Sequence, residues 1–212
     1  MVKLLSFPTA IFACAFGFHS VLSAPANAEP PAGFTITSFG LNGSGCPPKS
    51  AYYLLSPDKT SVNVTYSQYF AEVGPSIDIS DNRKNCQLTF GVRVPPGFTF
   101  GIASTTSRGF YFLDPGVTAA QQSLYYFQGS INQVTAKNNL AGPVPGAFYD
   151  FTAPFKVVST NMSPCGTSTV LNVNTEIRTS NDNNPNGVGF IANESTDFSF
   201  SQIFNFVWQT CS

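Results

Sequence analysis

The sequence predicts an all-β fold, a single antiparallel β-sandwich of jelly-roll or immunoglobulin-like order stapled by disulfides, and three observations lead there. Apolar residues recur at every second position in separate runs, most plainly Leu88, Phe90, Val92 and Val94, then Leu171, Val173, Thr175 and Ile177. That alternation is the signature of strands with one buried face. Only 10% of the 212 residues are charged whereas 14% are aromatic, a balance that favours pleated sheets over helices. No segment carries three turns of amphipathic helix, and Gly, Pro and Asn clusters fall at hairpin spacing.

Met1 to Ala28 reads as a secretory signal peptide, with Lys3 as its positive start, an apolar stretch from Leu4 to Phe18, and Ala26-Asn27-Ala28 as a small-residue cleavage site. Ser6, Pro8 and Gly17 break the apolar stretch, which falls short of the roughly 20 residues that span a bilayer. The expectation is a secreted, extracellular protein without membrane insertion, its residues 29–212 forming one domain.

Within that domain, Phe34, Ile36 and Phe39 start a first strand, and Gly40 to Pro48 is a turn bearing Cys46. Ala51 to Ser56 is a second strand. Ser56-Pro57-Asp58-Lys59 turns the chain into a third, where Val62, Val64 and Tyr66 alternate with Asn63 and Thr65, so the pair reads as a hairpin. Gly74 to Asn85 is expected to be a charged loop, closed by Cys86 at the start of the Leu88 to Val94 strand. Pro95-Pro96-Gly97 ends that strand, because proline donates no hydrogen bond to a ladder and glycine accepts positive φ. Phe98 to Ile102, Phe110 to Leu113 and Val117 to Gln128 follow as strands. Ile131 to Gly146 loses periodicity and is expected to be a loop, whereas Phe148 to Val158 resumes as strand, with Pro154 marking an edge or a bulge. Thr179 to Asn186 is polar enough for a surface loop. The last alternation, Phe198, Phe200, Gln202, Phe204, Phe206 and Trp208, is the longest and belongs in the middle of the core.

The stretch from Ser56 to Phe98, with its Ser56-Pro57-Asp58, Val73-Gly74-Pro75 and Arg83-Lys84-Asn85-Cys86-Gln87-Leu88 segments, resembles a fungal secreted family known as domain of unknown function 4360. Arg108-Gly109-Phe110, Tyr125 to Gly129, Gly142-Pro143, Ser163 to Gly166, Leu171 to Thr175, Trp208 and Cys211 extend the resemblance over nearly the whole mature chain. It implies the same compartment and fold and brings no activity with it.

Cleavage of the leader leaves Cys46, Cys86, Cys165 and Cys211, an even set in an oxidising compartment, hence two disulfides with three possible connectivities. Sequential pairing, Cys46 with Cys86 and Cys165 with Cys211, is the expected one. Each bridge then staples one half of the chain and contributes roughly 4 kcal/mol in the chain-entropy account. Asn42, Asn63, Asn161 and Asn193 each head a glycosylation sequon, and Asn63 lies on the polar face of its strand.

Removing Lys3 leaves nine basic against eleven acidic side chains, a balance with no electrostatic footprint for nucleic acid. The single histidine, His19, lies in the leader. Histidine-dependent triads and histidine-held metals are therefore excluded from the mature chain, and the sequence calls for no cofactor. Asp182-x-Asn184-x-Asn186-Gly187 matches half of a calcium loop, but Asn193 stands at the twelfth position where glutamate is required, so an ordinary Asn-rich loop is the reading. A carboxylate-dependent glycoside hydrolase would have to draw on Asp58, Asp78, Asp81, Asp114, Asp150, Glu176 and Asp197, most of them in turn-forming contexts.

Two groups stand out as binding candidates. Asp81, Arg83 and Lys84 form a charged cluster suited to a host or cell-surface protein, although such charges also pair locally. Tyr53, Tyr111 and Tyr126 are the expected outward rings of three aromatic runs, suited to stacking on a sugar or a partner. The function read from the sequence is binding without catalysis, either as an effector or elicitor-like protein or as a lectin-like module on cell-wall polysaccharide.

Overall fold

The computed structural model describes residues 28–156, 161–192 and 201–211, and in these residues two antiparallel sheets face each other. The five-stranded sheet runs in the order β1 (Thr35–Asn42), β5 (Arg83–Arg93), β10 (Thr169–Ser180), β7 (Thr118–Phe127) and β8 (Val134–Ala141). The seven-stranded sheet is built from β2 (Ala51–Leu55), β3 (Ser61–Tyr66), β12 (Ser201–Thr210), β6 (Phe98–Leu113), β11 (Gly189–Ala192) and β4 (Phe70–Val73), with β9 (Val144–Pro154) also on β6. Ser107 of β6 pairs with Gln202 and Phe151, and Phe110 pairs with Ala192 and Phe148. Strands β12 and β11 therefore lie end to end along one side of β6, and β9 occupies the other.

The alternation in the sequence decides what is buried. Leu88, Phe90, Val92, Leu171, Val173, Ile177, Tyr125 and Phe127 point inward from one sheet, against Val62, Val64, Phe100, Ile102, Phe204 and Trp208 from the other. Each such side chain contributes roughly 1.5–3 kcal/mol through burial. At one end the core is a ring cluster: Phe34 meets Trp208 edge-on at 4.9 Å, and Phe100 stacks on Trp208 at 5.1 Å. Towards the middle it turns polar. Gln202 is fully buried, its Nε2 donating to Ser123 Oγ at 2.8 Å and Ser107 Oγ at 3.2 Å while its Oε1 accepts from the Tyr66 hydroxyl. An amide in that position is tolerated because its hydrogen-bonding groups are met. Disulfides join Cys46 to Cys86 and Cys165 to Cys211, tying the turn after β1 to β5 and the turn before β10 to the end of β12.

The structure corrects several expectations. Residues 131–146 are not a loop, for they contain β8 and the start of β9. Strand β8 reads TAKNN through its centre, where Ala136 and Asn138 face inward in place of large apolar residues, so no alternation shows. Phe98 to Leu113 is one strand of sixteen residues rather than two, the hydroxyl-rich middle being covered by β9 and β12. The supposed loop from Gly74 to Asn85 holds a 3-10 turn at Ile79–Asp81, and β5 already begins at Arg83. Strand β10 continues to Ser180, and the four-residue strands β4 and β11 are too short for a periodic signal. Residues 1–27 of the proposed leader lie outside the described residues, as do Asn193 and Asp197.

Candidate functional site

Registers assemble a polar surface on the outside of the five-stranded sheet. Thr89 of β5 lies opposite Asn172 of β10, which lies opposite Tyr126 of β7. The next row runs Asn42, Gln87, Asn174, Leu124 and Thr135 across all five strands. A third runs Asn85, Glu176, Gln122 and Lys137, and a fourth Arg83, Arg178, Ala120 and Asn139. Period two puts these residues on the face opposite Leu88, Val173 and Tyr125.

Side-chain amides are ordered laterally across this face. Asn172 Oδ1 accepts from Gln87 Nε2 and Thr89 Oγ1, both at 3.4 Å, and its Nδ2 donates to Gln128 Oε1 at 3.4 Å. Asn174 Nδ2 donates to Gln87 Oε1 at 3.1 Å. An amide offers two N–H donors and a two-lone-pair acceptor, so the bonds that set these rotamers leave one N–H of Asn172, one N–H and the oxygen of Asn174, and one lone pair of Gln87 unused. Crowding leaves Asn172 only 6% exposed although it sits on an outer face.

The face continues into a groove of about 460 Å³ between β10, β7 and β8. Small side chains, Thr118, Ala120, Ala141 and Ser180, make its floor, and Lys137, Asn139, Arg178 and Asp182 line it. Its volume falls in the usual range of ligand clefts, roughly 300–1,000 Å³.

The sequence candidates are distributed unevenly over the molecule. Tyr126 stands on the amide face. Tyr53 does not face outward, because it packs against Phe39 at 4.9 Å and Phe90 at 5.9 Å, and its neighbour Tyr52 is the exposed ring of β2 at 65%. Tyr111 packs against the core beside Tyr149, while Phe110 and Phe112 take the outer face of β6. Both misplacements have one cause: in a run of adjacent aromatics, period two gives the alternation without its phase.

The Asp81, Arg83 and Lys84 cluster engages its own neighbours. Lys84 Nζ pairs with Asp81 Oδ1 at 2.6 Å, and Arg83 pairs with Glu176 on the adjacent strand, which holds the guanidinium still more firmly protonated. Four further carboxylates of the glycosidase set are likewise occupied. Asp58 accepts from Thr60 in the β2–β3 turn, Asp78 caps the 3-10 turn through Ser80 N, Asp114 accepts from Val188 N, and Asp150 pairs with Arg108. Hydrogen bonds from Ser56 and Thr60 to Asp58, and from Ser80 to Asp78, hold both carboxyls below the ordinary range. In the residues 180–187, Asn181 Nδ2 donates to the Pro185 and Gly187 carbonyls and Asn184 Nδ2 to the Pro115 carbonyl, so these side chains fix the loop's shape. No cluster of three metal-ligating side chains occurs among the described residues.

The outer face of the other sheet differs. Phe70, Phe190, Phe110 and Phe148 form a strip across β4, β11, β6 and β9, Phe70 stacking on Phe190 at 5.9 Å and Phe110 meeting Phe148 edge-on at 5.4 Å. No part of the sequence reading anticipated either the amide lattice or this strip, since each joins residues far apart in the chain.

Comparison with known proteins gives relatives and loose structural likenesses. The carbohydrate-binding module TmCBM61, solved with β-1,4-galactotriose, is 10% identical and aligns over 83% of this chain and 90% of its own with a TM-score of 0.25. The family 11 carbohydrate-binding module of Clostridium thermocellum, solved with a mixed-linked tetrasaccharide, is 5% identical over 89% of this chain and 98% of its own, also with a TM-score of 0.25. Scores this low carry nothing about a ligand. An uncharacterized secreted protein of Arthroderma benhamiae is far nearer, 36% identical over 187 residues that make up 88% of this chain and 75% of that protein. The protein is thus a secreted one, and with residues 32–211 matching, the chain belongs to the family described as domain of unknown function DUF4360.

Proposed function

We propose that this secreted protein binds an extracellular polysaccharide, without cleaving it, across the outer face of the five-stranded sheet. The observation that supports this reading is the amide lattice of Gln87, Asn172, Asn174 and Gln128, which adjoins the Ala120 groove. Vicinal sugar hydroxyls each donate and accept, and side-chain amides match them in both senses. Lateral bonds fix the amides before the ligand arrives, which lowers the ordering cost of binding. Tyr126 adds an apolar ring with a hydroxyl handle in the same row.

Catalysis fits the geometry poorly. A glycosidase needs a carboxylic acid kept protonated near neutral pH, whereas Asp58 and Asp78 are shifted the other way, Asp114 holds a turn, and Asp81, Asp150 and Glu176 sit in ion pairs. The charged cluster at Asp81, Arg83 and Lys84 is engaged locally, so a protein-partner role finds no support there.

The test is depletion of the purified mature protein by insoluble chitin, β-glucan, cellulose, xylan and polygalacturonate, with the supernatant assayed for released reducing sugar. Retention without release is expected. Asn174→Ala and Tyr126→Ala are each expected to weaken it about tenfold, the scale of one lost hydrogen bond to a sugar or one lost stacking ring. Release of sugar, or retention indifferent to both substitutions, would overturn the reading.

A further inference from the structure

We infer that the ligand is an acidic polysaccharide and that the groove takes a sugar carboxylate between Arg178 and Lys137; this rests on the polysaccharide-binding reading above. Arg178 sits directly opposite Arg83 on the neighbouring strand, an arrangement of like charges that sheets ordinarily avoid. Glu176 neutralises Arg83 and leaves Arg178 without an acidic partner among the described residues. Lys137 has none either. Its strand β8 lies two places from β10, so the strands of the two cations run about 10 Å apart, twice the spacing of neighbouring strands, with Lys137 one register row along from Arg178.

On the strand between theirs, Ala120 pairs with Arg178 and Asn139 and fills none of the space above the sheet, while Gln122 in the next row pairs with Lys137. Two long cationic side chains therefore flank a small-residue floor. The groove's carboxylate, Asp182, accepts the Ser180 hydroxyl at 2.7 Å at the far end and does not neutralise them. The chain as a whole carries a formal charge of −1, so a groove with two cations and one anion runs against the protein's own balance. An anion that is also a sugar satisfies both halves of the face. Its carboxylate takes the planar fork of Arg178 and the ammonium of Lys137, and its hydroxyls reach Gln122 and Asn174 in the adjoining rows.

The experiment measures affinity for soluble polygalacturonate, for the same polymer after chemical reduction of its carboxyl groups, for a neutral β-glucan and for dextran sulfate. Tight binding of polygalacturonate that falls about tenfold or more on carboxyl reduction, and by a like factor in Arg178→Gln, is the expected result. Lys137→Gln should lose less, since an ammonium is a point charge without a fork. Both substituted residues are exposed, and matched unfolding curves establish that the variants fold. Equal binding of reduced polymer or neutral glucan, with Arg178→Gln indifferent, overturns the acidic-sugar inference and leaves polysaccharide binding standing. Equal binding of dextran sulfate overturns it as general polyanion attraction. Binding to none of the polymers sinks both.

Discussion

The two outer faces of the sandwich solve the same problem in opposite ways. Each sheet must present to water every second residue of its strands. The five-stranded sheet does so with amides and hydroxyls that bond to one another, as at Asn172 with Gln87, Thr89 and Gln128. The seven-stranded sheet instead sets Phe70 against Phe190 and Phe110 against Phe148, rings that shield one another and offer nothing to a hydroxyl. A face ordered by hydrogen bonds suits polar ligands, whereas a face ordered by ring contact suits apolar surfaces. The two faces thus differ in how their outward side chains are held, by hydrogen bonds on one and by ring contacts on the other.

One added methyl group gives the strongest contrast between the sheets. A Cβ on Gly109 of β6 would stand 1.9 Å from the Ala192 carbonyl oxygen and 2.5 Å from the Tyr149 hydroxyl, and that hydroxyl donates to the same carbonyl. Gly109→Ala must move backbone and a buried ring together, and a loss of about 3 kcal/mol or more in urea unfolding is expected. A Cβ on Gly91 of β5 would meet Ser38 Oγ at 2.3 Å and Thr37 Oγ1 at 3.0 Å, hydroxyl tips at a bulge of the edge strand β1. Gly91→Ala should cost about 1 kcal/mol or less, because those tips can rotate. Comparable losses would show that the edge strand is as rigid as the strip beneath Phe110.

Alkali separates the sheets next. Burial raises the phenol pKa of Tyr66, Tyr69 and Tyr149, which belong to the seven-stranded sheet or its β3–β4 turn, and that of Tyr125 is pushed up to about 12. In the unfolded chain these groups ionise near the ordinary phenol value of 10.0. A folded pKa above the unfolded one means that the stabilisation is complete below pH 10 and is lost as pH rises towards the folded value. Urea midpoints should therefore fall steeply above pH 10, with Tyr66→Phe flattening the slope. Tyr66→Phe also removes the donor to Gln202 Oε1, so its baseline stability near neutral pH is measured alongside. A slope the same in both proteins would place Tyr66 outside the buried set.

Parts of this contrast were legible in the residues and parts were not. Val62, Val64 and Tyr66, and Leu171 to Ile177, could be read because one face of each strand is apolar and the other is not. Strand β8 could not, since Ala136 and Asn138, facing inward beside Phe151 and Ala153 of β9, stand where large apolar residues would have made the alternation visible. The Tyr52-Tyr53 step shows the limit of periodicity most clearly: both rings are alike, and only Phe39 and Phe90 decide which is covered. The amide lattice was hidden for another reason. Asn172 and Gln87 are 85 positions apart, and an asparagine in a strand reads as polar whether it is solvated or held.

Binding provides the next contrast, smaller in energy and more direct. Asn172→Ala removes the centre of the lattice and frees Gln87, Thr89 and Gln128, so retention on polysaccharide should fall about tenfold while stability drops by about 1 kcal/mol. Phe148→Ser, at a ring 67% exposed, should leave retention unchanged and stability within about 0.5 kcal/mol. The reverse outcome, with Phe148→Ser losing the ligand and Asn172→Ala keeping it, would move the site to the other sheet.

Glycosylation gives the smallest effect and the cleanest control. Asn63 lies between Leu54 and Ile203 on the outer face of the seven-stranded sheet, beside Leu54 and Tyr52, which are 68% and 65% exposed. Its Oδ1 is buried against the sheet without a hydrogen-bond partner, while the residue as a whole is half-buried. Asn161, by contrast, is 9% exposed, and its Nδ2 donates to the Lys156 carbonyl at 3.4 Å, so a glycan there is incompatible with the folded chain. Mass spectrometry of the secreted glycopeptides should find sugar on Asn63 and none on Asn161; an occupied Asn161 would mean that the segment around it packs differently in solution. Because a glycan on Asn63 would cover Tyr52 and Leu54, Asn63→Gln should increase self-association through that apolar patch. It should alter polysaccharide retention by less than about twofold, because the lattice faces the opposite way and shares no side chain with this surface. A loss as large as that of Asn172→Ala would mean that the two faces are coupled through the core, and the division of labour between them would have to be abandoned.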